Sequence, residues 1–324
     1  MQQPYNTLFC TKKSPCVLLK PFKKVNLICK RDDLNHPTVQ GNKLRKLKYN
    51  FLHALENNFS QLATFGGAYS NHIVAIAQAA KLSNIKVLGF IRGNELRGSP
   101  EKWSQTLHDA NNAGMELVFL SRQEYRQKEQ SLTVENHLSQ AQRTYLIPEG
   151  GSNKLALLGV VEIIDELAEQ IEPPTHIITA CGTGGTCAGL IDGVAKHGWQ
   201  TKVIGIPVLK GAKFLQQDIK NLSQQHSQVD WQLYFNYHGG GYAKLEERQL
   251  LFGKTFSQST NIPLDKVYNV KSFFATYDLI KKGEINAKSS VVILHTGGLQ
   301  GGVIGIPESR HKKPIKNILG FDGL

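Results

Sequence analysis

Paired cysteines are missing from this chain. Cys10, Cys16, Cys29, Cys181 and Cys187 are odd in number and form no close CxxC pair. That pattern argues against a disulfide scaffold and against structural zinc, and reduced thiols suit the cytoplasm. Long apolar runs are missing as well. No stretch is long enough to cross a bilayer, and the opening MQQPYNTLFCTKK has no apolar core of the kind a secretory signal needs. Acidic residues are outnumbered, 26 against 38 basic, which leaves a net charge of +12. Such an excess reports a tendency to associate rather than a function. The basic residues come as KLRKLK at 43–48, as SRHKKPIKN at 309–317, and singly, with no basic helix interleaved with aromatics. A cytoplasmic protein with neither a nucleic-acid nor a membrane partner is expected.

What remains has one texture. Apolar residues make up 40% and charged residues 20% of 324 positions, a length that suits two lobes better than one small core. No repeat, low-complexity segment or linker interrupts it. QLATF, IKVLGFI, ELVFL, THIITA, KVIGIPV and VVILH read as strands, several as short continuous apolar runs buried on both faces. NHIVAIAQAAKL, PEKWSQTLHDANNAG and KLALLGVVEIIDELAEQ between them read as helices. Strands alternating with helices predict a parallel, doubly wound α/β sheet, with ligands beyond the carboxyl ends of the strands.

Four loops at such ends share a character: GGAYSNH, CGTGGTCAG, NYHGGGY and TGGLQGG. Glycine lets backbone N–H groups converge on a ligand without side-chain obstruction. In GTGGT, Gly182, Thr183, Gly184, Gly185 and Thr186 lie between a buried strand and a helix, the context of a phosphate cradle. A bare strand-to-helix turn would need fewer glycines. No Lys-Ser/Thr follows, so this is not a Walker loop, and it is not GxGxxG. The other odd feature is VQGNKLRKLKYN. Lys43 follows a Gly-Asn turn at the mouth of a helix, where the dipole disfavours a cation. A lysine whose neutral amine is favoured, together with a phosphate cradle, suits pyridoxal phosphate, whose aldehyde is held on a lysine amine.

With those parts assembled, the chain resembles the 1-aminocyclopropane-1-carboxylate deaminase/D-cysteine desulfhydrase family of pyridoxal-phosphate enzymes. The resemblance runs from KRDDL…GNKLRKL through SNH, GTGGT, GGGY and VYNVKS to HTGG, in the family's order. It implies the two-lobed tryptophan-synthase β-like fold, α/β with mostly parallel sheets flanked by helices. The small lobe would be an insertion at 47–148, and 1–46 with 149–324 would form the large, cofactor-binding lobe. It also implies a small amino-acid substrate, and a homodimer is the expected assembly.

Residue by residue, the resemblance makes Lys43 the lysine that carries the cofactor and Lys46 a phosphate partner. Ser70 faces the substrate and Asn71 the cofactor ring. Residues 182–186 bind the phosphate, Tyr242 and Tyr268 are active-site tyrosines, and Asn269 and Thr296 lie by the pyridine ring. Bland readings stand beside these: Arg45 as solvated helix face, Ser70 as an N-cap, and Cys181 and Cys187 as packing residues. His72, His238 and His295 lack the spacing of metal ligands and read as structural. Two departures matter. Members that open the cyclopropane ring generally have glutamate where Asn269 stands and leucine where Thr296 stands. The chain therefore leans toward α,β-elimination from D-cysteine to pyruvate, sulfide and ammonia. Ring-opening deamination, and a cofactor-holding protein with little catalysis, are the alternatives.

Overall fold

The computed structural model describes residues 8–9, 12–140 and 143–305; Cys10 and the basic run at 309–317 lie outside the described residues. The chain opens with β1 (Cys16–Phe22) and β2 (Val25–Lys30). Then follow α1 (Asn42–Glu56), β3 (Gln61–Gly67), α2 (Asn71–Ser83), β4 (Lys86–Arg92), α3 (Gln105–Asn112) and β5 (Glu116–Leu120). Next come α4 (Arg122–Gln127), α5 (Leu132–Gln140), β6 (Thr144–Ile147), α6 (Lys154–Gln170), β7 (His176–Cys181), α7 (Gly185–Lys196) and β8 (Lys202–Pro207). The remainder is α8 (Leu215–Leu222), β9 (Trp231–Leu233), α9 (Glu247–Thr260), β10 (Leu264–Asp265), α10 (Asn269–Lys282), β11 (Ser290–Leu294) and β12 (Val303–Ile304).

Packing divides the chain into two compact units. One comprises Met1–Lys12 and Asn35–Gly159, the other Lys13–Leu34 and Val160–Leu324. The first holds a four-stranded parallel sheet in the order β5-β4-β3-β6. The second holds a six-stranded sheet in the order β1-β2-β11-β7-β8-β9, parallel except where β1 runs antiparallel to β2. The first unit begins earlier in the chain than the lobe boundary drawn from sequence at residue 47. α1 is continuous from Asn42, and it buries Leu44, Leu47 and Phe51 in the same core as Leu62 and Ile73. The later boundary falls at Gly159, inside α6.

The second core gathers Ile178, Ile204 and Ile293 from adjacent strands with Phe252, Phe256, Phe273 and Tyr277 from α9 and α10. Burying each such side chain contributes about 1.5–3 kcal/mol. The continuous apolar runs read as strands do form them, each within two residues of the expected ends. PEKWSQTLHDANNAG does not form one helix. A short 3-10 turn over Pro100–Lys102 gives way to an extended Trp103, and α3 starts only after Ser104. The Ser104 hydroxyl caps α3 by accepting from the Leu107 N–H, and such a cap fixes the start.

Candidate active site

In the first unit, chemistry collects at the mouths of α1 and α2. Gly41 precedes α1 with φ 71° and ψ −149°, a conformation that favours glycine. The Asn35 side chain holds it from both sides, donating to the Gly41 carbonyl at 3.1 Å and accepting the Gly41 N–H at 2.9 Å. Asn35 was not singled out from sequence, because nothing in its local pattern announces a clamp six residues downstream. The first turn of α1 contains no acidic residue. Lys43 is partly buried there, and burial pushes its amine down from 10.5 to about 8. The lysine at the helix mouth is thus poised to lose its proton near neutral pH.

Lys46, one turn on, is 2% exposed, and Arg45 is 5% exposed. The solvated face expected for Arg45 is therefore not found. Gly159 of α6 explains it: a Cβ there would collide with the Arg45 carbonyl, so its absence lets the two helices close over this turn. The Lys46 amine donates to the Ser152 hydroxyl at 2.8 Å and the Gly150 carbonyl at 3.2 Å. Ser70 occupies the N-cap position of α2 without a side-chain cap bond, so its hydroxyl is not committed to the helix. Asn71 is buried beside it. His72 is buried and neutral, its pKa driven well below the ordinary value by burial and then by Lys43 and Lys46. The Thr64 hydroxyl donates to the Ile147 carbonyl at 2.8 Å, so His72 Nε2 must be the donor in its 2.9 Å contact with Thr64. His72 Nδ1 is left as a buried acceptor without a partner.

In the second unit, residues 182–186 join β7 to α7. Gly184 is the N-cap of the twelve-residue α7, with φ 76°, no side-chain cap bond and no acid in the first turn. A helix start of this kind presents its N–H groups to an anion. Glycine is required at Gly184 and leaves little room for anything larger at Gly182. A Cβ on Gly184 would lie 2.8 Å from the Ile219 side chain, and one on Gly182 would lie 3.2 Å from the Tyr268 ring. Tyr268 thus covers the loop. Its hydroxyl donates to the Tyr242 hydroxyl at 3.5 Å, and the two rings meet edge to face. Cys181 and Cys187 flank the loop as buried free thiols.

Tyr268 is held by Asp265, 1% exposed. One carboxylate oxygen accepts the Val267 and Tyr268 N–H groups, each at 2.8 Å. The other accepts the Asn269 N–H at 2.7 Å and the Asn269 side-chain amide at 2.6 Å. Burial nonetheless raises its pKa against the three backbone N–H donors and the nearby His295. Asn269 also donates to the Gly297 carbonyl at 2.8 Å, while its amide oxygen accepts the Thr296 N–H at 2.9 Å and hydroxyl at 3.2 Å. Both donors and both lone pairs of this amide are spent. These bonds make Asn269 a strut between the Asp265 turn and the loop after β11, the position that the sequence expectation placed by the cofactor ring. His295 is buried in that loop, its Nε2 2.7 Å from the Pro263 carbonyl, and His238 accepts the Gly240 N–H at 2.9 Å. Among the described residues no group of three or more His, Cys, Asp or Glu could hold a metal ion, and no helix is long and apolar enough to cross a membrane.

These donor sets fit pyridoxal phosphate: a buried lysine amine with a lowered pKa, and a helix start without a side-chain cap behind a glycine loop that a Cβ at Gly184 would crowd. Comparison with known proteins agrees. The family described as pyridoxal-phosphate dependent enzymes matches residues 9–297. A D-cysteine desulfhydrase of Klebsiella pneumoniae is 30% identical, covering 84% of this chain and 86% of that one. A mitochondrial bifunctional D-cysteine desulfhydrase/1-aminocyclopropane-1-carboxylate deaminase of Arabidopsis thaliana is 30% identical over 84% of this chain and 72% of its own. The crystal structure of an ACC deaminase homologue superposes with TM-score 0.75 at 26% identity, covering 93% of this chain and 96% of that one. A threonine deaminase shares the fold alone, with TM-score 0.65 at 17% identity. The α/β architecture is accordingly the tryptophan-synthase β-like fold. The chain is a pyridoxal-phosphate-dependent enzyme and belongs to the 1-aminocyclopropane-1-carboxylate deaminase/D-cysteine desulfhydrase family.

Proposed function

We propose that this enzyme performs α,β-elimination on a small β-substituted amino acid, D-cysteine foremost, yielding pyruvate, sulfide and ammonia with the uptake of one water. When bound, the cofactor supplies an electron sink for the carbanion formed at the substrate's α-carbon. Lys43 would hold the cofactor covalently and, once displaced by the substrate amine, take the α-proton. Its lowered pKa supports this, because the neutral, reactive amine is far more populated than in an ordinary lysine. The N–H groups of 182–186 would receive the phosphate, with Lys46 as its second partner. Ser70, whose hydroxyl is not used as a cap, would meet the substrate carboxylate next to Asn71. Tyr242 and Tyr268 would line the substrate side, placing a shared hydroxyl proton where the leaving sulfur needs one.

The observation that carries the choice of reaction is the state of Asn269 and Asp265. Opening a cyclopropane ring offers no β-leaving group and so asks more of the electron sink. The position that holds glutamate in ring-opening members here holds a neutral amide with every hydrogen-bonding position used, and the Asp265 carboxylate is saturated by four N–H donors. Elimination of sulfide tolerates the shallower sink. Ring-opening deamination is the second reading, favoured by the bifunctional name of the Arabidopsis relative and disfavoured by Asn269 and Thr296. The test is product analysis with the purified enzyme. Pyruvate and sulfide should appear from D-cysteine in equal amounts, and pyruvate without sulfide, or no turnover, would refute the reading.

A further inference from the structure

Lys271 lies in the first turn of α10, fully buried, and no step above uses it. Its amine donates to the Gly241 carbonyl at 2.9 Å and the Val208 carbonyl at 3.2 Å. Burial lowers this amine, with Asp265 opposing the shift. An apolar side chain of similar length would fill the space without the cost of burying an amine, so packing does not account for a lysine here. The two carbonyls do. Gly241 ends a run in which Gly239, Gly240 and Gly241 all have positive φ, at 63°, 95° and 128°, and Ala243 follows at 58°. The segment joins no sheet. Bonds along it include Gly240 N–H to His238 Nδ1, Gly241 N–H to the His238 carbonyl, and Lys244 N–H to the Gly241 carbonyl. The Gly241 carbonyl is the one peptide-bonded to Tyr242. At its other end, Lys271 donates its backbone N–H to the Tyr268 carbonyl at 3.1 Å. One residue thus grips the backbone of both tyrosine-bearing segments.

We propose that Lys271 is the positioning residue that sets Tyr242 against Tyr268. The proposal rests on the reading of these tyrosines as lining the substrate side. Three holoenzyme variants test it: Lys271→Met, Tyr242→Phe and the double substitution. Hydrogen exchange read by mass spectrometry across 238–244 needs no turnover. It should accelerate in Lys271→Met while the cofactor absorbance holds. With D-cysteine, Lys271→Met should lower kcat about ten- to hundredfold with a smaller change in KM, as misplacement of a reacting group does. Adding Tyr242→Phe should then cost little more. Unchanged exchange in Lys271→Met, or single losses that multiply in full, would overturn the proposal. Full turnover by Tyr242→Phe alone would instead sink the reading of the tyrosines, and exchange would still decide whether Lys271 holds the loop. Should Lys271→Met fail to fold, the wild-type enzyme suffices: the Gly240, Gly241 and Lys244 amides must be protected, and exchange at the rate of an exposed loop overturns the tie.

Discussion

Lys43 shows how burial prepares an amine. In the cofactor-free protein its pKa of about 8, and that of Lys271 at about 8, lie below the 10.5 of an unfolded lysine. Between those values the unfolded chain binds protons that the folded chain does not, so stability rises with pH from about 8 to about 10.5. Each group adds up to about 1.4 kcal/mol per pH unit in that window. Urea melts of the cofactor-free wild type and Lys43→Met, followed across the window, check it: the variant should show the shallower slope, and equal slopes contradict the assignment. Asn269 permits a second prediction at this scale. Asn269→Asp would set a carboxylate 2.6 Å from Asp265 and remove both amide donors. A buried like-charge contact with unpaired partners should destabilise by about 3 kcal/mol or more. Chemical denaturation measures it, and a loss below about 1 kcal/mol would mean that the strut carries little.

Among the elements, the glycine loop 182–186, the proposed phosphate site, is open to a test by a single change. Gly184→Val would put a β-branched residue at φ 76° with its Cβ against Ile219. Strain of about 1–3 kcal/mol follows, and distortion of the α7 start should weaken retention of pyridoxal phosphate. Equilibrium dialysis against the cofactor should show tenfold or greater weakening, and parental affinity would remove the loop from the site. The strands and this loop were legible in the sequence because buried parallel strands are continuous apolar runs and the glycines punctuate them. The lowered amine of Lys43 was legible from its place after a turn. The burial of Arg45 and Lys46 was not: KLRKLK reads the same on a wet or a dry face, and only Gly159, more than a hundred residues on, shows α6 closing over it. The bonding of Asn269 was not legible either, since sequence adjacency to Tyr268 says nothing of the Asp265 carboxylate that accepts from its amide.

At the scale of the whole molecule, each unit carries features that the proposed chemistry would use: Lys43 with its lowered amine, Ser70 and Asn71 in the first, and the glycine loop 182–186 with Tyr242 and Tyr268 in the second. If Lys43 carries the cofactor, borohydride reduction and peptide mapping should find the pyridoxyl group on Lys43, and a label on another lysine contradicts it. The choice between elimination and ring opening is the central claim, and one measurement addresses it most directly. Steady-state kinetics of keto-acid release by the cofactor-loaded enzyme, run side by side on D-cysteine and 1-aminocyclopropane-1-carboxylate, should give a kcat/KM at least tenfold higher for D-cysteine, a difference of about 1.4 kcal/mol in barrier. Turnover of the cyclopropane substrate equal to or above that of D-cysteine would contradict both the proposed reaction and the reasoning from Asn269.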